Sequence, residues 1–265
     1  MLELKNLYKT FNPGTVNEKH ALNGLSLTLE DGDFVTVIGG NGAGKSTMLN
    51  AIAGVWPVDE GKILIDGQDI TGKEEHQRAK YIGRVFQDPM MGTAATMEIE
   101  ENLALATRRG KARTLLSGIT AKERGEYREL LKKLDLGLED RMTSKVGLLS
   151  GGQRQALTLL MATLKKPELL LLDEHTAALD PKTALKVLTL SDQMVQEERL
   201  TTLMITHNMK DAIKYGNRLI MMYEGNIIYD VRGEEKRNLH VSDLLAKFEQ
   251  ASDGEFANDR MILSN

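Results

Sequence analysis

The segment Gly39-Gly40-Asn41-Gly42-Ala43-Gly44-Lys45-Ser46-Thr47 lies between the apolar run Phe34 to Ile38 and the stretch Lys45 to Ala53, which reads as a helix. It matches G-x-x-x-x-G-K-[ST] in the strand-loop-helix setting that this pattern requires. Glycines let successive backbone N–H groups turn inward around a β-phosphate, and the start of the helix adds partial positive charge. Lys45 is then placed to reach the β- and γ-phosphates, and the Ser46 hydroxyl to ligate Mg²⁺. The unit commits the chain to a compact α/β body around buried strands.

A second apolar run, Leu169 to Leu172, ends in Asp173 and Glu174. Burial of such a strand fixes Asp173 near the Mg²⁺ hydration shell and turns Glu174 toward an attacking water, the arrangement of a Walker-B element. Between the two motifs stands Leu149-Ser150-Gly151-Gly152-Gln153-Arg154-Gln155. Ser150 occupies a helix N-cap position, and the glycines leave backbone N–H groups exposed at that helix start. The chain therefore carries two phosphate-binding nests, and one nucleotide does not account for both.

The rest of the pattern fits around these segments. The first third reads as short strands and turns: LELKNLYKTF, LNGLSLTLE, the turn Asp31-Gly32-Asp33, and Lys62 to Ile65 closed by Asp66-Gly67. From Met97 to Thr107, Ala121 to Leu136 and Gln153 to Leu164, apolar residues recur every three or four positions, which predicts a helical subdomain over about 88–164. Alternation then resumes with Leu169 to Leu172 and Thr202 to Ile205 as parallel strands flanking a helix, Pro181 to Glu198, whose proline suits its first turn. After residue 232 a short tail, 233–265, is expected to hold one helix around the amphipathic stretch Val241 to Phe248.

Composition narrows the function classes. A net charge of -4 argues against a general polyanion binder, so no direct nucleic acid contact is expected. With no cysteine there is no disulfide, thiolate catalysis or Cys-ligated zinc site. No apolar run approaches the roughly 20 residues that cross a bilayer, so any membrane role comes through a partner.

From about Leu2 to Asp230 the chain resembles the ATP-binding-cassette (ABC) ATPases, and Leu149 to Gln155 looks like their signature motif. The resemblance implies a P-loop NTPase cassette of the α/β class: a RecA-like α/β core, an N-terminal antiparallel β subdomain and an inserted helical subdomain, together residues 1–232. It implies a head-to-tail homodimer in which Ser150, Gly151, Gly152 and Gln153 of one copy close on the ATP held by the other's Gly39 to Thr47. Gln87 then looks like the Q-loop glutamine that senses Mg²⁺ and the water. Asp180, in Ala177 to Asp180, resembles the D-loop residue of the dimer seam, and His207 the switch histidine at the γ-phosphate. Phe11 sits where the family places a ring against adenine, with Tyr8 close by as an alternative.

Glu174, His207, Lys45 and Gln87 are thus the expected catalytic set, with Ser46, Gln87 and Asp173 toward Mg²⁺, and both sites of the dimer are expected to hydrolyse ATP. The expected role is the cytoplasmic motor of a membrane permease, working with an extracytoplasmic binding protein and held peripherally at the inner face of the membrane. A soluble cassette acting on nucleic acid, ribosomes or a cofactor-assembly scaffold is the alternative. His175 departs from the proline common in the family. With Met204 to Lys236 it resembles the ATPases of amino-acid importers with branched-chain-type permeases, a group associated with tryptophan or tyrosine. On its own, His175 reads as a helix-flanking polar residue with no chemical role.

Overall fold

The protein is described from a computed structural model over residues 1–110 and 118–251. Two sheets form its scaffold. In the first, β1 (Leu2–Phe11), β2 (Lys19–Leu29), β4 (Glu60–Ile65) and β5 (Gln68–Asp69) run antiparallel in the order β2-β1-β4-β5. Alternation along β1 turns Leu2 and Leu4 inward, the period-2 pattern of a sheet with one wet face, and a register shift after Leu4 brings Leu7 in as well.

The second sheet has the order β10-β9-β3-β8-β7-β6, made of β3 (Phe34–Gly39), β6 (Ile82–Val85), β7 (Leu169–Asp173), β8 (Thr202–Ile205), β9 (Arg218–Tyr223) and β10 (Asn226–Arg232). All pairs are parallel except the β9–β10 edge. Every residue of β3 is buried, as expected where both faces of a parallel sheet are covered. Its one polar side chain, Thr36, donates to the carbonyls of Ala212 and Arg218 at 2.8 and 3.2 Å. The C-terminal ends of β3, β7 and β8 come out along one edge, the edge at which open α/β sheets bind ligands.

Helix α1 (Lys45–Ala53) packs Met48, Leu49 and Ile52 into the core that joins the two sheets. Beyond the short α2 (Glu75–Arg78), α3 (Ile99–Thr107), α4 (Ala121–Lys132) and α5 (Gly151–Thr163) enclose a separate core that includes Leu103, Tyr127, Leu131 and Leu157. Each of these three helices begins with a capping box: Glu98 with Glu101, Thr120 with Glu123, and Ser150 with Gln153.

Helix α6 (Pro181–Glu198) follows β7, and α7 (Met209–Lys214) follows β8. The chain then closes with α8 (Gly233–Arg237) and α9 (Val241–Ala251). No helix among the described residues is long and apolar enough to cross a membrane.

Some boundaries differ from the sequence reading. The helix expected to reach Leu136 stops at Lys132, because Asp135 and Gly137 adopt φ of 51° and 67°, outside the helical region. The signature helix starts two residues earlier than Gln153, since Ser150 caps it. The tail holds two helices, and it is no loose appendage: Leu244 and Phe248 of α9 are buried with Ile38, Met209 and Met221. The polar end of the tail beyond residue 251 lies outside the described residues, as do residues 111–117 of the helical segment.

Candidate nucleotide-binding site

The loop after β3 turns tightly because its glycines have no Cβ. At Gly44 φ is 98°, and a Cβ there would stand 2.4 Å from the Ala21 carbonyl oxygen of β2. Gly44 is also the N-cap of α1 and offers no side-chain cap, so the first amides of that helix point into the loop. Lys45 Nζ is buried and donates to the carbonyls of Gly39 and Gly40 at 2.7 and 3.0 Å, which folds the side chain back inside the loop. Ser46 is exposed at the helix start, whereas Thr47 is buried.

Asn41 to Thr47, but not Gly39 and Gly40, line a cavity of about 240 Å³ that also takes in Phe11, Lys19, Ala21, Glu174 and His207. Glu174 comes from the turn after β7, where it holds φ at 46°, an uncommon value for a side chain of this type. Its amide donates to the Ile205 carbonyl at 3.0 Å, and its Oε1 lies 2.5 Å from His207 Nε2. Parallel pairing of β7 with β8, Leu172 opposite Met204, carries the two residues to one point. Phe11 meets Trp56 edge-on, ring centres 5.1 Å apart, while Tyr8 lies against Gly24 and is absent from the cavity lining.

Asp173 is largely buried and its Oδ2 accepts from Arg84 Nη2 at 3.1 Å. Burial pushes its carboxyl pKa up, and Arg84 opposes that shift. Among the described residues no cluster of three or more His, Asp or Glu side chains surrounds a metal position. One carboxylate and one hydroxyl beside a phosphate loop fit Mg²⁺, which keeps several waters and shares phosphate oxygens with the protein. Gln87, two residues past the Val85–Leu172 pair, is exposed and does not line the cavity. Its neighbour Phe86 accepts from the buried Gln155 of α5 at 2.9 Å, tying that strand end to the signature helix.

The signature residues lie apart from the cavity. Ser150 Oγ accepts from the Gln153 amide at 3.2 Å, and Gln153 Oε1 from the Ser150 amide at 3.1 Å. Asp180 caps α6 by accepting from the Thr183 amide at 3.1 Å, and the Thr183 bonds lower its pKa. His175, adjacent to Glu174, is buried and bonds Ser191 Oγ of α6 at 2.9 Å. Ser191 Oγ donates to Val187, so the histidine Nε2 carries the proton, and burial lowers the ring pKa to about 4.

Two lining or supporting residues escaped the sequence reading. Lys19 reaches the loop from β2, its Nζ 2.7 Å from where a Gly42 Cβ would be. Arg84 supports Asp173 from β6. Neither sits in a local motif, and only strand pairing brings them in.

Residues 22–177 match the family model described as ABC transporter. The chain is 47% identical to a tyrosine transport ATP-binding protein of Clostridioides difficile, covering 95% of this chain and 100% of that one. It is 31% identical to a phosphonates import ATP-binding protein of Lactobacillus johnsonii, over 92% and 95% of the two chains. Among solved structures it resembles a dimeric ATP-binding cassette in a post-hydrolysis state bound to ADP and Pi, with a TM-score of 0.74, 31% identity, and 88% and 98% of the two chains covered.

Proposed function

The chain belongs to the ABC transporter ATP-binding family and is an ATP-hydrolysing cassette subunit; from that premise we propose that it drives amino-acid import, with an aromatic amino acid such as tyrosine as cargo. The observation that carries the catalytic part is the convergence of Glu174, His207 and the Lys45 loop on one cavity. ATP is held with its phosphates in the loop, where Lys45 and the α1 amides stabilise negative charge. Glu174 orients the attacking water and accepts its proton, and His207, in contact with the Glu174 carboxylate, holds it in place beside the γ-phosphate. Ser46 and Asp173 would hold Mg²⁺, which would supply charge neutralisation on the phosphates. Phe11, rather than Tyr8, is the ring for adenine. Gln87 joins this set only when the loop after β6 moves toward the cavity.

The cavity falls below the roughly 300 to 1,000 Å³ of a complete ligand pocket, which suits half a site. We assign the other half to Ser150, Gly151, Gly152 and Gln153 of a second copy, with Asp180 at the seam. Residues 1–232 form the motor, and a separate permease, with its extracytoplasmic binding protein, places it at the inner face of the membrane. The cargo assignment draws on the 47% identity with a tyrosine transport protein along nearly the whole chain.

Glu174→Gln tests the mechanism: ATP binding is retained, turnover falls to background, and light scattering shows an ATP-dependent dimer. Wild-type turnover by that variant removes Glu174 from the reaction. Co-purification from membranes tests the role. A permease in the eluate supports it, and ribosomes or a soluble scaffold instead would transfer the chain to the other class of cassette protein.

A further inference from the structure

Arg84 joins three elements of the site through one guanidinium. Its Nη2 donates to Asp173 Oδ2 on β7 at 3.1 Å and to Asn50 Oδ1 on α1 at 2.8 Å. Its guanidinium carbon stands 4.6 Å from the centre of the Phe86 ring, immediately before Gln87. Only 12% of the Arg84 side chain and 16% of that of Asp173 are exposed, so the pair is screened far less than a surface ion pair. Arg84 Nε is buried with no hydrogen-bond partner, so the polar contacts on this group run through Nη2 toward Asp173 and Asn50.

We propose that Arg84 is a positioning residue for the Mg²⁺-holding carboxylate: it pins Oδ2 of Asp173, leaves Oδ1 for the cation, and fixes the distance between β7 and the helix that begins at Lys45-Ser46. The inference rests on the role assigned to Asp173 above. The geometry needs a planar donor that can meet two acceptors while lying on a ring, which an arginine supplies and a lysine ammonium does only in part.

Two effects of opposite sign operate here. As a cation near the site, Arg84 repels Mg²⁺; as a clamp, it spares Mg²⁺ binding the entropy of ordering a carboxylate. The clamp dominates, because Asn50 fixes the same Nη2 that bonds Asp173, so the guanidinium cannot swing away from Oδ2 or toward the cation.

The test measures the affinity of the full chain for trinitrophenyl-ATP by fluorescence, in EDTA and in Mg²⁺, for the wild type, Arg84→Met, Arg84→Lys, Asn50→Leu and Asp173→Asn. The expected result is an EDTA affinity within about twofold of wild type for Arg84→Met, and a gain on adding Mg²⁺ reduced about tenfold, a loss of roughly 1.4 kcal/mol. Arg84→Lys recovers part of that gain, and Asn50→Leu loses less of it.

A wild-type Mg²⁺ gain in Arg84→Met overturns the inference. A larger gain does so too, since Arg84 would then act only as a repelling charge. If Arg84→Met does not fold, wild-type gains in both Arg84→Lys and Asn50→Leu overturn it equally. Asp173→Asn separates the two readings: a normal Mg²⁺ gain there removes Asp173 from the metal site and takes this inference with it. A lost gain in Asp173→Asn with a normal one in Arg84→Met defeats the Arg84 inference alone.

Discussion

Gly152 of the signature has two possible reasons to be glycine, and a double substitution separates them. A Cβ at this position would stand 2.1 Å from Thr183 Cγ2 of α6, but 3.6 and 3.9 Å from Thr183 Cβ and Oγ1. Carbon contacts are optimal at about 3.5 to 4.0 Å, so the methyl alone must retreat by about 1.5 Å. Thr183 has little room to turn its methyl away, since its hydroxyl and its amide both bond Asp180 in the first turn of α6. Overpacking of this kind costs about 1–3 kcal/mol, against at most about 1 kcal/mol gained by replacing glycine with alanine in a helix.

Gly152→Ala is therefore expected to lose about 1–2 kcal/mol in urea unfolding. Thr183→Ser deletes the clashing methyl and alone costs about 0.8 kcal/mol or less. In the double variant the clash is gone, so the two changes should couple favourably by about 1–3 kcal/mol. Additivity within about 0.5 kcal/mol would refute the steric account and leave Gly152 to be explained by contact with the partner's nucleotide. Turnover follows the same logic, returning in the double variant if α6 alone demands the glycine.

Phe11→Ala is expected to weaken nucleotide affinity several-fold in an equilibrium titration, while Tyr8→Ala leaves it nearly unchanged; the reverse order would move the adenine ring contact to Tyr8. Lys236 of α8 is buried, with Nζ bonded to the carbonyls of Tyr215 and Gly216 at the end of α7, and burial lowers its pKa from 10.5 to about 8. The unfolded chain therefore binds more protons between pH 8 and 10.5. This depressed group contributes stability that is present above that window and lost as pH falls through it, about 2 kcal/mol between pH 9.5 and pH 7. Urea unfolding at those two pH values should show this difference for wild type relative to Lys236→Met, and parallel pH profiles would mean that Lys236 is not the group responsible.

What could be read from the sequence is what local chemistry encodes. The loop after β3 was legible because Gly44 needs a conformation and a close approach that other residues do not tolerate. Leu169 to Leu172 read as a buried strand because both its faces are covered, leaving no polar alternation. Arg84, Lys19 and the His175–Ser191 bond were illegible for one shared reason. Each depends on which strands and helices become neighbours, and no spacing along the chain records that. The end of α4 and the short helix α8 differ from the sequence reading because Lys133 and Asp135, and the charged run at 234–237, suit a helix or a turn alike.

The capping box at Ser150 bears on how the second phosphate nest works. Ser150 Oγ and Gln153 Oε1 already accept from each other's backbone amides, which leaves the Ser150 O–H, on an exposed residue, as a donor directed outward. The amides of Gly151 and Gly152 belong to the first turn, where a helix supplies no internal acceptor. Under the proposed dimer, the signature would offer a partner's nucleotide the backbone and dipole of α5 together with the Ser150 O–H, while Ser150 Oγ also keeps that helix start in shape. Removing the serine hydroxyl would damage the cap and the contact together. Gly151 is the cleaner probe: it is exposed, and a Cβ there meets only the flexible Leu179 Cδ2, at 3.3 Å. A substitution at Gly151 can thus block the partner without unfolding the helix that presents the site.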